Sequence, residues 1–233
     1  MTMERAIIFD TGPIISLTTN NLLWILRELK KQFHGEFFIT QKVKAELVDK
    51  PIEIKRFKFE ALQILKCIDD GVLTVLGEKH FRQQTRKLLE MTNHSLRANG
   101  SWLKLCHPAE IEVVAAAMSR NADAIVIDER TTRMLFEDAA QLGVLLERKL
   151  ERRISFDKNN IAELKKMTRG LRFIRSTELA LVAYEHGILD SLVTSFPQAR
   201  KHLLQGMLWG MKLRGCAIRV EEIDAAVGME LGK

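Results

Sequence analysis

The sequence predicts an α/β protein with a mostly parallel sheet, and three observations predict it. Short apolar runs of strand length alternate with segments that have the period of amphipathic helices. Two of these runs, residues 6–9 and 124–127, are followed at once by an aspartate, Asp10 and Asp128. The chain has 233 residues, 46% of them hydrophobic and 28% charged, which is typical of a globular protein that buries a sizeable core.

The elements predicted up to residue 76 follow this alternation. Gly12-Pro13 is a turn signal, so we expect the first strand to end there and a helix to begin only near Asn20. The next elements are a helix over 20–33, a strand over 36–40, a helix over 41–48 capped by Thr40 and ended by Pro51, a helix over 57–69 and a strand over 72–76.

The second half continues the alternation around two basic stretches. The first contains one helix near residues 81–89 and a turn at Asn99-Gly100. After it we expect a helix from Pro108, a strand over 124–127, a helix over 131–141, a strand over 171–175 and a helix from Ser176 to Gly187. The predicted organisation is one domain over residues 1–190, with insertions at about 77–107 and 144–170, and a helical tail over 191–233 packed on it without chemistry of its own.

The net charge of +6 is concentrated in the two basic stretches. Residues 77–107 carry six Lys or Arg against two acids, and residues 144–175 carry ten against four. Basic charge gathered in two segments of an otherwise acidic chain indicates a polyanionic partner. The alternative is that both stretches are solvated helix faces.

Several classes of protein are excluded. No apolar run approaches the roughly 20 residues of a membrane helix, and the first five residues lack a signal-peptide pattern. Cys67, Cys106 and Cys216 lie far apart, so we expect reduced, buried thiols in a cytoplasmic protein and no zinc site. The phosphate-binding patterns GxxxxGK[ST] and GxGxxG do not occur. The triplet Asp-Thr-Gly at 10–12 also marks aspartic proteases, but those are all-β proteins, which the long helical patterns contradict.

Acidic residues provide the candidate chemistry. Ligands of α/β proteins gather at the carboxyl ends of the strands, where Asp10 and Asp128 stand, and Glu110 opens the helix after Pro108. Clustered acids repel one another unless a cation neutralises them, and carboxylates prefer Mg²⁺ or Mn²⁺. Each acid alone has an ordinary interpretation, as a helix cap, a surface helix acid, a first-turn acid or a turn residue.

Four segments resemble successive motifs of the PIN-domain ribonucleases: IIFDTGPIISL, ITQKVKAELVD, HPAEIEVVAAAM and AIVIDER. The resemblance implies a parallel sheet between helices, with a quartet of acids that falls on Asp10, Glu46, Glu110 and Asp128. It implies further that hydrogen-bonding support comes from Thr11, Glu129 and Ser176. Residues 173–187 resemble the last strand and helix of the subfamily with a helical tail. The sequence departs from the family where Ala109 replaces a glycine and where Arg175 precedes Ser176-Thr177.

The resemblance implies a Mg²⁺- or Mn²⁺-dependent endoribonuclease that cuts phosphodiester bonds with metal-activated water. Asp10, Glu110 and Asp128 are expected to hold the metal, and Glu46 to position it or orient the attacking water. The alternative is a non-catalytic RNA-binding or scaffold protein with the same fold. RNA is the expected partner, and the family also implies an antitoxin partner, a homodimer, and either a toxin or an RNA-processing role. The basic residues expected to hold RNA are Arg82, Arg86, Lys87, Arg148, Arg152, Arg153, Lys165 and Lys166.

Overall fold

The computed structural model describes residues 5–231, which form eight strands and twelve α-helices. The strands are β1 (Ala6–Phe9), β2 (Glu36–Thr40), β3 (Thr74–Leu76), β4 (Leu96–Ala98), β5 (Ser101–Trp102), β6 (Ala124–Val126), β7 (Ile154–Phe156) and β8 (Phe173–Ile174). The helices are α1 (Thr11–Thr19), α2 (Ile25–Phe33), α3 (Gln41–Lys44), α4 (Lys58–Asp69), α5 (Arg82–Asn93), α6 (Pro108–Arg120), α7 (Arg130–Glu137), α8 (Ala139–Leu150), α9 (Lys158–Met167), α10 (Ser176–Glu185), α11 (Ala199–Leu213) and α12 (Val220–Leu231). The predicted absence of a leader rests partly on residues 1–4, which lie outside the described residues.

The central sheet is parallel, as the sequence predicts. Its strand order is β3-β2-β1-β6-β8, and each neighbouring pair runs in the same direction. Ile7 pairs with Phe37 on one side and with Ala124 on the other. The backbone N–H of Asp10 still donates to the carbonyl of Val126, 2.9 Å away, just past the end of β1. The residues that follow β1 and β6 therefore meet at the same edge of the sheet.

The core is built on the apolar strands and on α6. Ile8, Phe9, Ile39 and Ile125 are completely buried, which explains why these short strands read as continuous apolar runs. Helix α6 packs against β1, β2 and β6. Its alanines at 115–117 are also completely buried, because α6 packs against α5 as well as against the sheet. No helix among residues 5–231 is both long and apolar enough to cross a membrane.

The first helix begins earlier than predicted. Gly12-Pro13 does not separate the strand from a helix at Asn20; instead it lies in the first turn of α1, directly after Asp10. Proline suits a first turn because its missing N–H has no partner there in any case. Asn21 adopts a left-handed conformation, with φ at 57°, and α2 starts only at Ile25. The predicted helix over 131–141 is also divided, because the Asp138 side chain accepts from the Gln141 N–H at 3.0 Å and caps a new helix, α8.

The two basic stretches pack on each other. β4 from the first and β7 from the second pair antiparallel, with β5 on the other side of β4. The predicted turn at Asn99-Gly100 joins β4 to β5, with both residues in left-handed conformations at φ 49° and 81°. Helix α5 also packs against α9. The sequence did not indicate this small sheet, because its strands have only two or three residues.

The C-terminal helices pack into the same core. Leu204, Leu208 and Met211 of α11 and Ile223 of α12 are completely buried within the cluster that contains the strands. Arg175, directly before α10, holds the tail in place: its guanidinium donates to the Ala217 carbonyl at 3.2 Å and to Glu222 Oε1 at 3.1 Å. The tail therefore has a fixed position next to the end of β8.

Candidate active site

A cleft of about 680 Å³ opens at the carboxyl edge of the central sheet. Its lining includes the four candidate acids, each from a different element. Asp10 follows β1, Glu46 lies in a π-helical turn after α3, Glu110 lies in the first turn of α6, and Asp128 follows β6. The parallel topology thus brings residues that are far apart in the sequence to one place.

Gly12 lies between the two aspartates. A Cβ atom built on Gly12 would be 3.5 Å from the Asp128 Cβ and 3.8 Å from Asp10 Oδ2. Both are ordinary van der Waals distances, so the glycine marks a close approach of the two side chains to the start of α1. Asp10 and Asp128 therefore border the same point of the cleft floor.

The Asp10 carboxyl is in an unfavourable place for a negative charge. Burial raises its pKa to about 7, although the backbone amides of Thr11 and Gly12 favour the charged form. The carboxylates of Glu110 and Glu46 raise the pKa further. Burial likewise raises the pKa of Glu110, against the lowering effect of the Thr132 hydroxyl. Burial and the neighbouring carboxylates therefore both disfavour negative charge on the acids of this cleft.

The Asp128 carboxylate is held by four donors. Its Oδ2 accepts from the hydroxyls of Ser16 at 2.8 Å and Ser176 at 2.7 Å. Its Oδ1 accepts from the backbone N–H of Ser176 at 2.8 Å and from the Cys216 thiol at 3.5 Å. Burial raises the pKa of Cys216 and the Asp128 charge raises it further, so the thiol keeps the proton that it donates. Asp128 has a fixed orientation as a result.

The tail contributes to the site, which corrects the prediction that it has no chemistry. Besides the Cys216 thiol, Gly215 and Ala217 lie in the lining of the cleft. No sequence signal marks Cys216, because a single cysteine in a helical tail is indistinguishable from a core residue. None marks Ser16 either, because Ser16 reaches the site only through α1, which begins earlier than the sequence predicts.

Threonine hydroxyl groups donate hydrogen bonds to both glutamates of the cleft. The Thr11 hydroxyl donates to Glu46 Oε2 at 2.7 Å, and the Thr132 hydroxyl donates to Glu110 Oε2. Glu110 Oε2 also accepts from the His107 backbone N–H at 3.3 Å, closing a capping box at the start of α6. Glu46 lies in the π-helical turn Ala45–Asp49, an irregularity often found at functional sites.

Glu129 is part of the cleft lining and also caps α7. Its Oε2 accepts from the Thr132 backbone N–H at 2.7 Å. Thr132 therefore touches two acids, with its backbone on Glu129 and its hydroxyl on Glu110. No sequence pattern singles out Thr132.

An ion pair with a buried carboxylate joins α3, which precedes the turn of Glu46, to α6, which carries Glu110. The Lys42 ammonium lies 2.5 Å from Glu112 Oε2, and the Glu112 side chain is only 3% exposed. The Lys42 backbone N–H also approaches Glu112 Oε1, at 3.4 Å. A carboxylate inside the otherwise apolar run IEVVAAA was the available sequence signal for this residue, and the sequence interpretation did not use it.

Four basic side chains line the cleft, and none of them was predicted to bind RNA. They are Lys42, Lys50, His107 and Arg130. The eight residues predicted for that role are exposed but lie outside the cleft lining. Three of them pair with acids: Arg82 with Glu78, and both Lys87 and Lys166 with Glu163.

The donor chemistry of the cleft fits a hard divalent cation, since its acidic lining is carboxylate. Within the described part of the chain, however, no three acidic, histidine or cysteine side chains are grouped closely enough to hold a metal ion. The Thr11 and Thr132 hydroxyls each engage one oxygen of Glu46 or Glu110, and the second oxygen of each carboxylate is the one that could bind a cation.

Comparison with known proteins identifies the family. A family model described as "DUF3368: PIN domain" matches residues 6–183, which include all four acids and both basic stretches. No curated protein and no solved structure gives a significant match.

Proposed function

Because the chain belongs to the PIN-domain family, whose members are generally nucleases, we propose that it is a Mg²⁺- or Mn²⁺-dependent endoribonuclease. One observation carries the proposal: four carboxylates from four separate elements line a single cleft at the carboxyl edge of the sheet. The burial and mutual repulsion of Asp10, Glu110 and Glu46 support it, since a bound cation would relieve both.

The acids divide into two groups by their environment. Asp10, Glu110 and Asp128 would hold the metal, directly or through water. The four donors to Asp128 engage both of its oxygens, so Asp128 would hold the metal through water. Asp10 is placed by its position between β1 and α1. Glu46 would orient the attacking water and accept its proton, because Thr11 engages only one of its oxygens.

A bound Mg²⁺ or Mn²⁺ would lower the pKa of a water molecule and stabilise the charge that develops on the phosphate. The chain itself supplies the positive charge at the walls. Lys50 and Arg130 would hold the substrate's phosphates, offsetting the repulsion between an acidic cleft and a phosphate chain.

The direct test is cleavage of a 5′-labelled single-stranded RNA by purified protein with Mn²⁺, with Mg²⁺ and with EDTA. We expect internal cleavage with either metal and none with EDTA. Asp10→Asn and Glu110→Gln should each reduce cleavage by at least about 100-fold, since each removes a charge on which the metal depends. Asp224→Asn, a change of an exposed acid in α12, is the matched control.

Two results would contradict the proposal. Cleavage that survives in Asp10→Asn at the wild-type rate would assign the activity to a contaminating nuclease. RNA binding by the wild type with no cleavage under any metal would support the alternative, a non-catalytic RNA-binding protein with a PIN fold.

A further inference from the structure

A segment of unusual surface begins at the wall of the cleft. We call residues 50–62 the basic-aromatic segment. Lys50 lines the cleft, residues Pro51–Glu53 form a 3-10 turn, and the first turns of α4 complete the segment. Four large apolar side chains on it are exposed: Ile54 at 49%, Phe57 at 43%, Phe59 at 70% and Leu62 at 47%.

The same segment carries unpaired positive charge. Lys50, Lys55, Arg56 and Lys58 are exposed, and none of the ion pairs found within residues 5–231 includes them. The Arg56 guanidinium lies 5.1 Å from the centroid of the Phe57 ring. Only two acids, Glu53 and Glu60, lie in the segment, and Glu60 buries one of its carboxylate oxygens. The surface is therefore both apolar and cationic.

Two other basic surfaces within residues 5–231 lack this combination. The Trp102 ring in the small sheet is covered by the Arg97 guanidinium, 3.6 Å from its centroid, and has His94 at its edge. Arg148, Arg152 and Arg153 are exposed, but they do not line the cleft. The basic-aromatic segment differs because it joins exposed aromatic rings, free cations and direct continuity with the acids.

Exposed aromatic rings interleaved with lysine and arginine are typical of proteins that bind single-stranded nucleic acid. Bases stack on the rings, and the cations neutralise phosphates. A protein partner with an acidic, apolar surface would match the same charge. Continuity with the cleft favours RNA, since a strand held at Lys50 continues along the chain that leads from Lys50 to α4.

We propose that the basic-aromatic segment binds the single-stranded RNA that extends out of the cleft. Phe57 and Phe59 stack on bases, and Lys55, Arg56 and Lys58 contact phosphates. This inference rests on the proposed ribonuclease function and adds to it a surface outside the cleft that holds the RNA strand with little requirement for its base sequence.

The test measures affinity for a fluorescein-labelled single-stranded RNA by fluorescence anisotropy in EDTA, so that cleavage does not interfere. Phe59→Ala should weaken binding by about 5- to 100-fold, the range for loss of a stacked base. Phe196→Ala, which removes a ring of similar exposure in the tail, is the matched control and should have no effect. Thermal melting of both variants checks that the fold is kept.

The charges are tested with two triple variants of equal charge. The triple change Lys55→Gln, Arg56→Gln and Lys58→Gln should weaken binding and reduce the slope of log affinity against log salt by about two units. The comparison variant is Lys149→Gln, Lys158→Gln and Arg172→Gln, three exposed residues that neither line the cleft nor belong to the eight predicted RNA contacts. A smaller loss in the comparison variant supports the proposal, and an equal or larger loss contradicts it.

The outcomes separate this inference from the proposed function. If the wild type cleaves RNA while Phe59→Ala and the segment's triple variant bind RNA normally, the inference fails alone. If those variants lose affinity but the wild type never cleaves, the nuclease proposal fails and the binding surface stands. Unchanged RNA affinity together with a change in molar mass by light scattering would assign the segment to contact between copies of the chain, and so would overturn the proposal.

Discussion

The thiol of Cys216 lies 3.5 Å from Asp128 Oδ1 and joins the C-terminal tail to an acid 88 positions earlier in the chain. Burial and the Asp128 charge both raise the pKa of this thiol, so it remains a donor. Together with Ser16 and Ser176, it fixes the carboxylate from three separate segments. The tail is therefore part of the cleft's structure rather than an appendage to it.

Replacing Cys216 tests this contact. Cys216→Ala removes a donor and leaves a small cavity, so the free energy of unfolding should fall by about 1–2 kcal/mol. Cys216→Ser keeps a hydrogen-bond donor, so its free energy of unfolding should fall by less. Urea denaturation measures both. An equal loss in the two variants would show that packing, not the hydrogen bond, accounts for the effect.

The raised pKa of Asp10 predicts a pH-dependent stability. Between its ordinary value of 3.8 and the folded value of about 7, the folded protein keeps a proton that the unfolded chain has released. The free energy of unfolding should therefore fall as pH rises through this window, and the penalty should be complete above it. Asp10→Asn lacks this titration. It should be more stable than the wild type by ~1–3 kcal/mol at pH 8 and equal to it near pH 4.

Urea denaturation in EDTA, repeated across that pH range, measures the effect. The control is Asp224→Asn, an exposed acid in α12, which should follow the wild type at every pH. A constant difference between Asp10→Asn and the wild type would mean that Asp10 is ionised throughout and that its burial has no electrostatic cost.

The ion pair between Lys42 and Glu112 predicts that losing the lysine costs more stability than losing the carboxylate. Glu112 is 3% exposed, whereas the Lys42 side chain is 40% exposed. Lys42→Met would leave a buried carboxylate without its partner and should cost about 2–4 kcal/mol, but Glu112→Gln leaves a lysine that water can reach and should cost about 1 kcal/mol. Chemical denaturation of the two single variants and the double variant measures this. The reverse order would show that Lys42 supports the fold through other contacts.

Gly35 predicts a steric effect. A Cβ at this position would lie 2.5 Å from the Arg5 carbonyl oxygen and 2.6 Å from the Phe33 ring, and the backbone oxygen has little freedom to move. Gly35→Ala should therefore destabilise the protein by about 1–3 kcal/mol. Gly206→Ala in α11, where a Cβ meets nothing within 4 Å, should instead stabilise it by ~0.5–1 kcal/mol. Melting temperatures that shift the same way in both would contradict this steric account.

The sequence predicted the parallel sheet because its strands are uniformly apolar and separated by helical periods. Strand β2 and its capping residue Thr40 agree with the prediction, since Thr40 Oγ1 accepts from the Val43 N–H at 3.3 Å. The acids at 10 and 128 meet in one cleft for the same reason: parallel strands end at one edge. Features that depend on residues close together in the sequence could therefore be predicted.

The features that could not be predicted depend on contacts between residues that are far apart in the sequence. Leu96 pairs with Phe156 in the small sheet, but strands of three residues carry too few alternations to be recognised. The partners of Asp128 at positions 16, 176 and 216 are related only through the folded chain. Counting charges also could not show that Lys87 and Lys166 both face Glu163. The eight predicted RNA contacts remain a prediction.

The dependence of the cleft on residues 215–217 has a consequence for the protein while it is being made. Synthesis proceeds from the N-terminus, so all four acids leave the ribosome before Cys216 does. Until then one wall of the cleft is missing and Asp128 lacks its thiol donor. The site of a nascent chain is therefore incomplete until residues 215–217 have emerged and packed beside Asp128.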